Sequence, residues 1–345
     1  MPEGHTVHRL ARAFGELFTG EALAVSSPQG RFAAGAALLD GHVLVTSEAW
    51  GKQLFLGFAD PATRDLRWLR VHLGLYGAWT FASDGSAAVV HAIGAPRRRV
   101  GERETVPGER AAQGAGHAVP ALPDEAWSPP APRGAVRVRL LGARAVADLT
   151  GPTACEVITE EERQAVLDRL GPDPVREAGP GEADPREGFV AAVRRSRSPV
   201  GLLLMNQDVV AGVGNIYRAE SLFRARLDPL RPGRDVPAED LRALWDDLVV
   251  LMRDGTRTGA IVTTRPEDRD DRAPSGAVGA RSSTGPAPGR RRVRQNTDDG
   301  PGAVPTDQAF YVYHRDGLPC RVCGTPVLVK ELASRHLYWC SVCQA

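Results

Sequence analysis

Long apolar segments are missing from this chain, and their absence argues against membrane insertion and secretion. No stretch holds 18 consecutive apolar residues, which argues against a transmembrane helix. The first 20 residues contain two histidines, two arginines and two glutamates in place of the apolar core of a secretory signal. We therefore expect a cytoplasmic protein, associated with the nucleoid if it binds DNA.

A strong net charge of either sign is missing as well. The 345 residues include 43 basic and 42 acidic side chains, which gives a formal net charge of +1. Any surface that binds a nucleic acid must then be local. The length leaves room for two or three domains and a sizeable core.

Lysine is almost absent. The chain has two lysines, Lys52 and Lys330, against 41 arginines (43 minus 2). A lysine that persists against this bias is a candidate for a task that needs a primary amine with an adjustable pKa. Lys52 precedes a strand-like apolar run, so it is the better candidate, although chance could also leave one lysine.

The chain starts Met1-Pro2-Glu3-Gly4. Removal of Met1 would make Pro2 a free secondary amine beside a carboxylate, with an α-amino pKa of about 7.7–8. Such an amine is nucleophilic near neutral pH, and its iminium adduct with an aldehyde sugar would withdraw electrons and open a deoxyribose ring. The alternative is that Pro2 is simply the residue after the start.

Cysteine is scarce, but four of the five cysteines form a pattern. Two C-x-x-C pairs, separated by sixteen residues, match a tetrahedral zinc site made of Cys320, Cys323, Cys340 and Cys343. Two disulfides are the competing interpretation, which the missing secretory segment disfavours. A closed four-cysteine site is structural, not catalytic. We expect one Zn²⁺ and no organic cofactor.

Hydrophobic periodicity changes in character along the chain. Apolar spacing in residues 4–18 predicts an amphipathic helix. Residues 22–82, and later 135–141, break into short runs typical of an antiparallel β-layer. Helical patterns follow from residue 157 onward. Two stretches rich in Arg, Gly, Pro and Ala interrupt this order, and we predict an irregular insertion for one and disorder for the other.

Two glycine-bounded motifs suggest contacts with DNA. The turn His72-Leu-Gly-Leu-Tyr-Gly77 could push Leu75 and Tyr76 outward as wedges that unstack a base step. Alone, such a turn more often directs these side chains into the core. In Gly212-Val-Gly-Asn-Ile-Tyr217, Asn215 is a good N-cap for a helix whose N-terminus suits a phosphate. An ordinary packing corner between helices is the alternative.

Together these motifs resemble the formamidopyrimidine-DNA glycosylase/endonuclease VIII family, most closely its endonuclease VIII branch. The resemblance covers nearly the whole chain except the two low-complexity stretches. It implies an α+β multidomain fold: an N-terminal helix with a two-layer antiparallel β-sandwich, a helical helix-two-turns-helix domain, and a C-terminal Cys₄ zinc-finger hairpin. The predicted division is 1–156 (with the insertion 95–133), 157–264, a low-complexity 265–306, and 307–345.

The resemblance also implies catalytic roles. Pro2 would attack C1′ of the damaged nucleotide, and Glu3 would act as the acid/base partner that helps open the ribose. Lys52 would bind phosphate and assist catalysis. The family's carboxylate three positions beyond Glu3 is replaced by Thr6, which affects the positioning of the opened sugar but not the nucleophile.

DNA contacts follow from the same resemblance. Asn215 and Arg335 would grip the phosphates flanking the lesion, while Leu75 and Tyr76 would fill the void left by the flipped base. A second intercalating segment would fall near residues 148–151, without identifiable wedge residues. The expected partner is damaged duplex DNA, bound by a monomer in a cleft, with no membrane contact.

Three functions compete at this point. The first is a base-excision-repair glycosylase with AP lyase activity, acting by β,δ-elimination on oxidised bases. Three sequences resemble the endonuclease VIII branch and so favour pyrimidines: Leu75-Tyr-Gly77, His314-Arg-Asp-Gly317 and Trp339-Cys340. Formamidopyrimidine-type purine specificity is the alternative. The second is a catalytically silent damage-binding protein, disfavoured because Pro2 and Glu3 are present. The third is a zinc-ribbon module on an unrelated enzyme, which leaves the other motifs as coincidences.

Overall fold

The computed structural model describes residues 2–85, 92–94, 127–179, 181, 183–269 and 304–345. Two compact units make up the chain, Met1–Arg169 and Leu170–Ala345, and each is described by itself. Most of the predicted insertions, residues 95–126 and 270–303, lie outside the described residues. The four-part domain division stays a prediction.

Helix α1 (Gly4–Phe18) opens the first unit with the bounds that its apolar spacing predicts. Residues three and four positions apart share a helix face, so one stripe of α1 enters the core. The buried apolar members of this stripe are Val7, Leu10, Ala11, Phe14 and Phe18.

Two antiparallel sheets form the body of this unit. The four-stranded sheet has the order β2 (Val43–Trp50), β3 (Gln53–Ala59), β4 (Leu66–His72), β9 (Ala154–Ile158). The five-stranded sheet has the order β1 (Ala24–Ser26), β7 (Val136–Leu141), β8 (Ala145–Thr150), β5 (Ala78–Ser83), β6 (Ala92–Gly94). Residues from α1 and both sheets share one apolar core, which confirms the two-layer sandwich.

Two helices complete the unit. Helix α2 (Ala33–Leu39) lies inside the segment predicted as β-structure only, so that part of the prediction was incomplete. Helix α3 (Glu160–Leu167) begins with a capping box between Thr159 and Glu162. The Arg163 guanidinium of α3 stacks 4.3 Å from the ring of Trp68 on β4, which fixes α3 against the four-stranded sheet.

The second unit is helical and ends in a hairpin. Its helices are α4 (Pro185–Arg194), α5 (Val200–Leu203), α6 (Asn215–Arg224) and α7 (Ala238–Thr258), joined by an apolar core of their own. Strands β10 (Leu328–Leu332) and β11 (Arg335–Trp339) form the C-terminal hairpin. Among the described helices, none is both long and apolar enough to cross a membrane.

Candidate functional site

The N-terminus places a carboxylate in an enclosed position. Pro2 is buried, and Glu3 is 1% exposed at the N-cap of α1. The Glu3 side chain makes no capping hydrogen bond to the helix. The positive end of the helix dipole favours a negative charge at this place. A carboxylate is therefore held next to the residue predicted as the nucleophile.

Lys52 and His72 lie at the same end of the four-stranded sheet. A two-residue turn, Gly51-Lys52, joins β2 to β3, and Gly51 has φ +57°, a value that glycine adopts without strain. Gln53 then pairs with His72 of β4. Burial and, after it, the positive charge of Lys52 lower the pKa of His72. The sequence places His72 at the start of a turn but indicates no role for it, because Lys52 is 20 residues away in the sequence.

The turn after His72 projects both predicted wedge residues. Leu75 is 49% exposed and Tyr76 is 81% exposed, so neither side chain enters the core. Glycines make the tight packing beneath them feasible. Gly74 has φ +66°, and a Cβ on it would lie 1.7 Å from the hydroxyl oxygen of Thr153. Gly151 is also tightly packed, because a Cβ there would lie 2.9 Å from the carbonyl oxygen of Tyr76.

The segment 148–151 lies at the end of a strand in the described structure. Residues 148–150 belong to β8, and Leu149 is fully buried in the sandwich core. Strand pairing on both sides holds Leu149 inward. Gly151 packs against the backbone of Tyr76, and the intercalating role of this segment stays a prediction.

Asn215 lies at the start of α6, but it is not the N-cap. Gly214 occupies the cap position, and Asn215 is the first helical residue, so the capping prediction was wrong by one residue. The Asn215 side chain is used for a tertiary contact instead. Its Nδ2 donates a hydrogen bond to the carbonyl oxygen of His336 on β11 at 3.0 Å. Gln207 holds the preceding loop by donating to Met205 and Val213 carbonyls.

Arg335 opens strand β11 and lines a cavity of about 300 Å³. The turn before it has φ +50° at Ala333 and +60° at Ser334, as a tight two-residue hairpin requires. The remaining lining residues come from the helical part and the same hairpin: Leu202, Met205, Asn206, Arg218, Leu332 and Ala333. Two guanidinium groups therefore border one small cavity.

The four predicted zinc ligands converge. All four Sγ atoms lie within 4.8 Å of one another. The Sγ atoms of Cys320 and Cys343 are 3.9 Å apart, and those of Cys323 and Cys340 are 3.4 Å apart. A tetrahedron with Zn–S bonds of about 2.3 Å has S–S edges of about 3.8 Å. The donor set therefore fits Zn²⁺, whereas Cys155 belongs to β9 of the first unit.

Family models match the second unit in two places. Residues 170–266 match the formamidopyrimidine-DNA glycosylase H2TH domain, and residues 317–345 match a zinc finger found in FPG and IleRS. Endonuclease 8 1 of Mycobacterium tuberculosis (strain H37Rv) is 39% identical over 345 residues, 100% of each chain. The chain belongs to the formamidopyrimidine-DNA glycosylase/endonuclease VIII family.

Other members of this family are similar over shorter stretches or in fold. Formamidopyrimidine-DNA glycosylase of Thermus thermophilus is 36% identical over 179 residues, 52% of this chain and 55% of that protein. The crystal structure of MutM (Fpg) from Thermus thermophilus superposes with a TM-score of 0.60 at 24% identity, covering 99% and 98% of the two chains. A complex of Lactococcus lactis Fpg with abasic-site DNA gives 0.62 at 17% identity, covering 99% of each chain.

Membership establishes the class of activity. The chain is a DNA glycosylase of base excision repair, from a family whose members combine glycosylase and AP lyase activity. It carries the family's zinc finger, and its fold is the predicted α+β arrangement. Within the first unit lie Pro2, Glu3, Lys52, Leu75 and Tyr76; within the second lie Asn215, Arg335 and the four cysteines.

Proposed function

We propose that the chain removes oxidised pyrimidines from duplex DNA and then cleaves the abasic strand through an imine at Pro2. The observation that carries this proposal is the enclosed Glu3 carboxylate beside Pro2, at the positive end of α1 and not used as a helix cap. A buried acid next to an N-terminal amine is the minimum that this chemistry requires.

The reaction begins once Met1 has been removed. The Pro2 nitrogen attacks C1′, the bond from C1′ to the base breaks, and the base leaves with a proton. Glu3 delivers a proton to O4′ as the C1′–O4′ bond breaks, which leaves an iminium cation between Pro2 and C1′. The cation acidifies the C2′ hydrogen, and its loss expels the 3′ phosphate.

A second elimination expels the 5′ phosphate. Water then hydrolyses the imine, releases the sugar fragment and returns the free amine, so the steps balance without an external oxidant or reductant. Lys52, with His72 close to it, supplies a cation for a phosphate near the reacting sugar. Leu75 and Tyr76 occupy the space of the extruded nucleotide because both are exposed on a tightly packed turn.

DNA and zinc have separate roles in this proposal. Asn215 and Arg335 contact phosphates, and one Zn²⁺ on the four cysteines stabilises the hairpin that carries Arg335. The chain acts as a monomer. No step of the chemistry passes through the metal, because a closed four-thiolate site has no free coordination position.

Borohydride trapping tests the proposal. Duplexes carrying an abasic site, thymine glycol, dihydrouracil or 8-oxoguanine are incubated with enzyme whose loss of Met1 and zinc content are confirmed. We expect a covalent adduct at Pro2 with the abasic and both pyrimidine duplexes. A stronger adduct with 8-oxoguanine would show purine specificity instead, and no adduct at all would leave a damage-binding protein.

Two variants sharpen this test. Pro2→Gly keeps an α-amine, so we expect slower cleavage and a trapped adduct at the glycine. Protein that retains Met1 presents the amine one residue too early, and we expect it to be inactive. Full lyase activity of that preparation would refute the role of Pro2.

A further inference from the structure

Arg218, the fourth residue of α6, is a charged side chain with no exposed surface. A buried guanidinium is tolerated only where acceptors surround it. One of its Nη atoms donates to the carbonyl oxygen of His336 at 2.8 Å and to Oδ1 of Asn215. The other lies 3.5 Å from the carbonyl oxygen of Gly201.

These contacts determine the orientation of the Asn215 amide. A guanidinium only donates hydrogen bonds, so the Asn215 side-chain oxygen must be the atom that faces Arg218. The Asn215 side-chain nitrogen then lies on the other side of the amide group. That nitrogen donates to the same His336 carbonyl that Arg218 binds. One backbone oxygen of β11 thus receives hydrogen bonds from two side chains of α6.

The shared carbonyl belongs to the residue after Arg335. Any shift of β11 along α6 would therefore move Arg335 relative to Asn215. Arg218 and Arg335 also border the same cavity of about 300 Å³, whose other walls include the apolar side chains of Met205 and Leu332. A cavity with cationic and apolar walls suits a phosphodiester with its attached sugar.

We propose that Arg218 is a positioning residue, which locks Asn215 and the β11 strand in register so that Asn215 and Arg335 both contact the DNA backbone, with Arg335 at the wall of this cavity. The proposal rests on the phosphate-binding roles proposed above for Asn215 and Arg335. Arg218 acts through its two neighbours, because one Nη atom donates both to Asn215 and to the strand.

A purely structural arginine would behave differently in a double-mutant cycle. Arg218→Met keeps the length and apolar packing of the side chain but removes the donors. We expect this change to weaken binding of a duplex with a tetrahydrofuran abasic analogue about tenfold or more, with the turnover at saturating DNA within twofold of wild type. Asn215→Ala should weaken binding in wild type but add almost nothing in the Arg218→Met background.

Salt dependence gives a second readout. If Arg335 loses its phosphate when β11 slips, the slope of log K against log salt concentration shrinks by about 0.9 in Arg218→Met. Arg224→Met is the matched control. Arg224 lies on the same helix but binds Asp247 and the Thr263 carbonyl, away from Asn215 and β11. We expect this control to lower the melting temperature without changing the salt slope.

Specific outcomes would overturn the proposal. These are additive effects of Arg218→Met and Asn215→Ala, or an unchanged salt slope in folded, zinc-loaded Arg218→Met. If Arg218→Met does not fold, Arg218→Lys becomes the test variant, since lysine keeps the positive charge but lacks the planar set of guanidinium donors. It must then weaken binding at least threefold and show the same coupling to Asn215. Unchanged binding by Asn215→Ala alone would instead refute the proposed phosphate role and leave borohydride trapping at Pro2 unaffected.

Discussion

Replacing Gly74 with alanine should disable the turn that carries Leu75 and Tyr76, the two proposed wedge residues. Gly74 has φ +66°, and a Cβ there would lie 1.7 Å from Oγ1 and 2.9 Å from Cβ of Thr153. Thr153 cannot easily retreat, because its backbone N–H donates to the His72 carbonyl oxygen at 2.9 Å. The turn itself must therefore move.

The free-energy cost of Gly74→Ala has two parts. Left-handed backbone costs an L-residue about 1–2 kcal/mol, and forced overlap in a packed site adds about 1–3 kcal/mol. The total of about 2–5 kcal/mol appears as lost stability, as a displaced turn, or as both. A displaced turn no longer offsets the few kcal/mol needed to unstack a nucleotide, so kcat/KM on damaged duplex should fall about tenfold or more.

Gly20→Ala is the matched control for this experiment. Gly20 has φ +89°, and a Cβ on it would meet nothing within 4 Å, so it carries the backbone strain without the overlap. Urea denaturation compares the two stabilities, and cleavage is measured on duplex and on single-stranded abasic DNA, which needs no unstacking. We expect Gly74→Ala to lose activity mainly on duplex. Equal duplex activity of the two variants would refute the reasoning.

Three further predictions concern stability and metal. Glu220→Gln should lower the free energy of unfolding by about 3–5 kcal/mol, because the buried carboxylate accepts backbone N–H groups of residues 311–313; exposed Glu187→Gln, measured alongside in urea, should change little. Burial lowers the pKa of His5 to about 3, so the unfolded state binds the extra proton. Stability should then fall as the pH drops from about 6.5 towards 3, by on the order of 4 kcal/mol, and His5→Gln should flatten this slope in acid titrations. Cys340→Ser or chelation should weaken DNA binding while hydrogen exchange of residues 2–85 stays unchanged; unaltered affinity after confirmed zinc loss would contradict this.

The sequence predicted elements whose pattern is local and strong. Helix α1 has a full apolar stripe, and its bounds are those that the stripe predicts. The cysteine spacing predicted a cluster that the four Sγ atoms do form. Helix α2 was missed because it has seven residues, of which only Ala36 and Leu39 are buried, too few for a visible period.

Long-range contacts were beyond the reach of the sequence. From the sequence, Arg218 would be predicted to be an ordinary exposed arginine on an amphipathic helix. Its burial depends on a hydrogen bond to His336, 118 positions later. The burial of Glu220 is equally hard to predict, since its partners lie 43 to 93 positions away. The sequence assigned Asn215 a local capping role, because no nearby residue in the sequence indicates that its amide donates to a distant strand.

Helix α6 satisfies its buried charges with the backbone of the C-terminal part. Arg218 and Glu220 lie two positions apart on α6, and both are fully buried. One binds a carbonyl of β11, and the other binds the N–H groups that precede the zinc finger. Gln344 adds a third connection, since it accepts from the Cys340 N–H and donates to the Leu227 carbonyl. Loss of the metal should release these backbone partners together, leaving two buried charges without acceptors or donors, so chelation should destabilise the helical core as well as the hairpin.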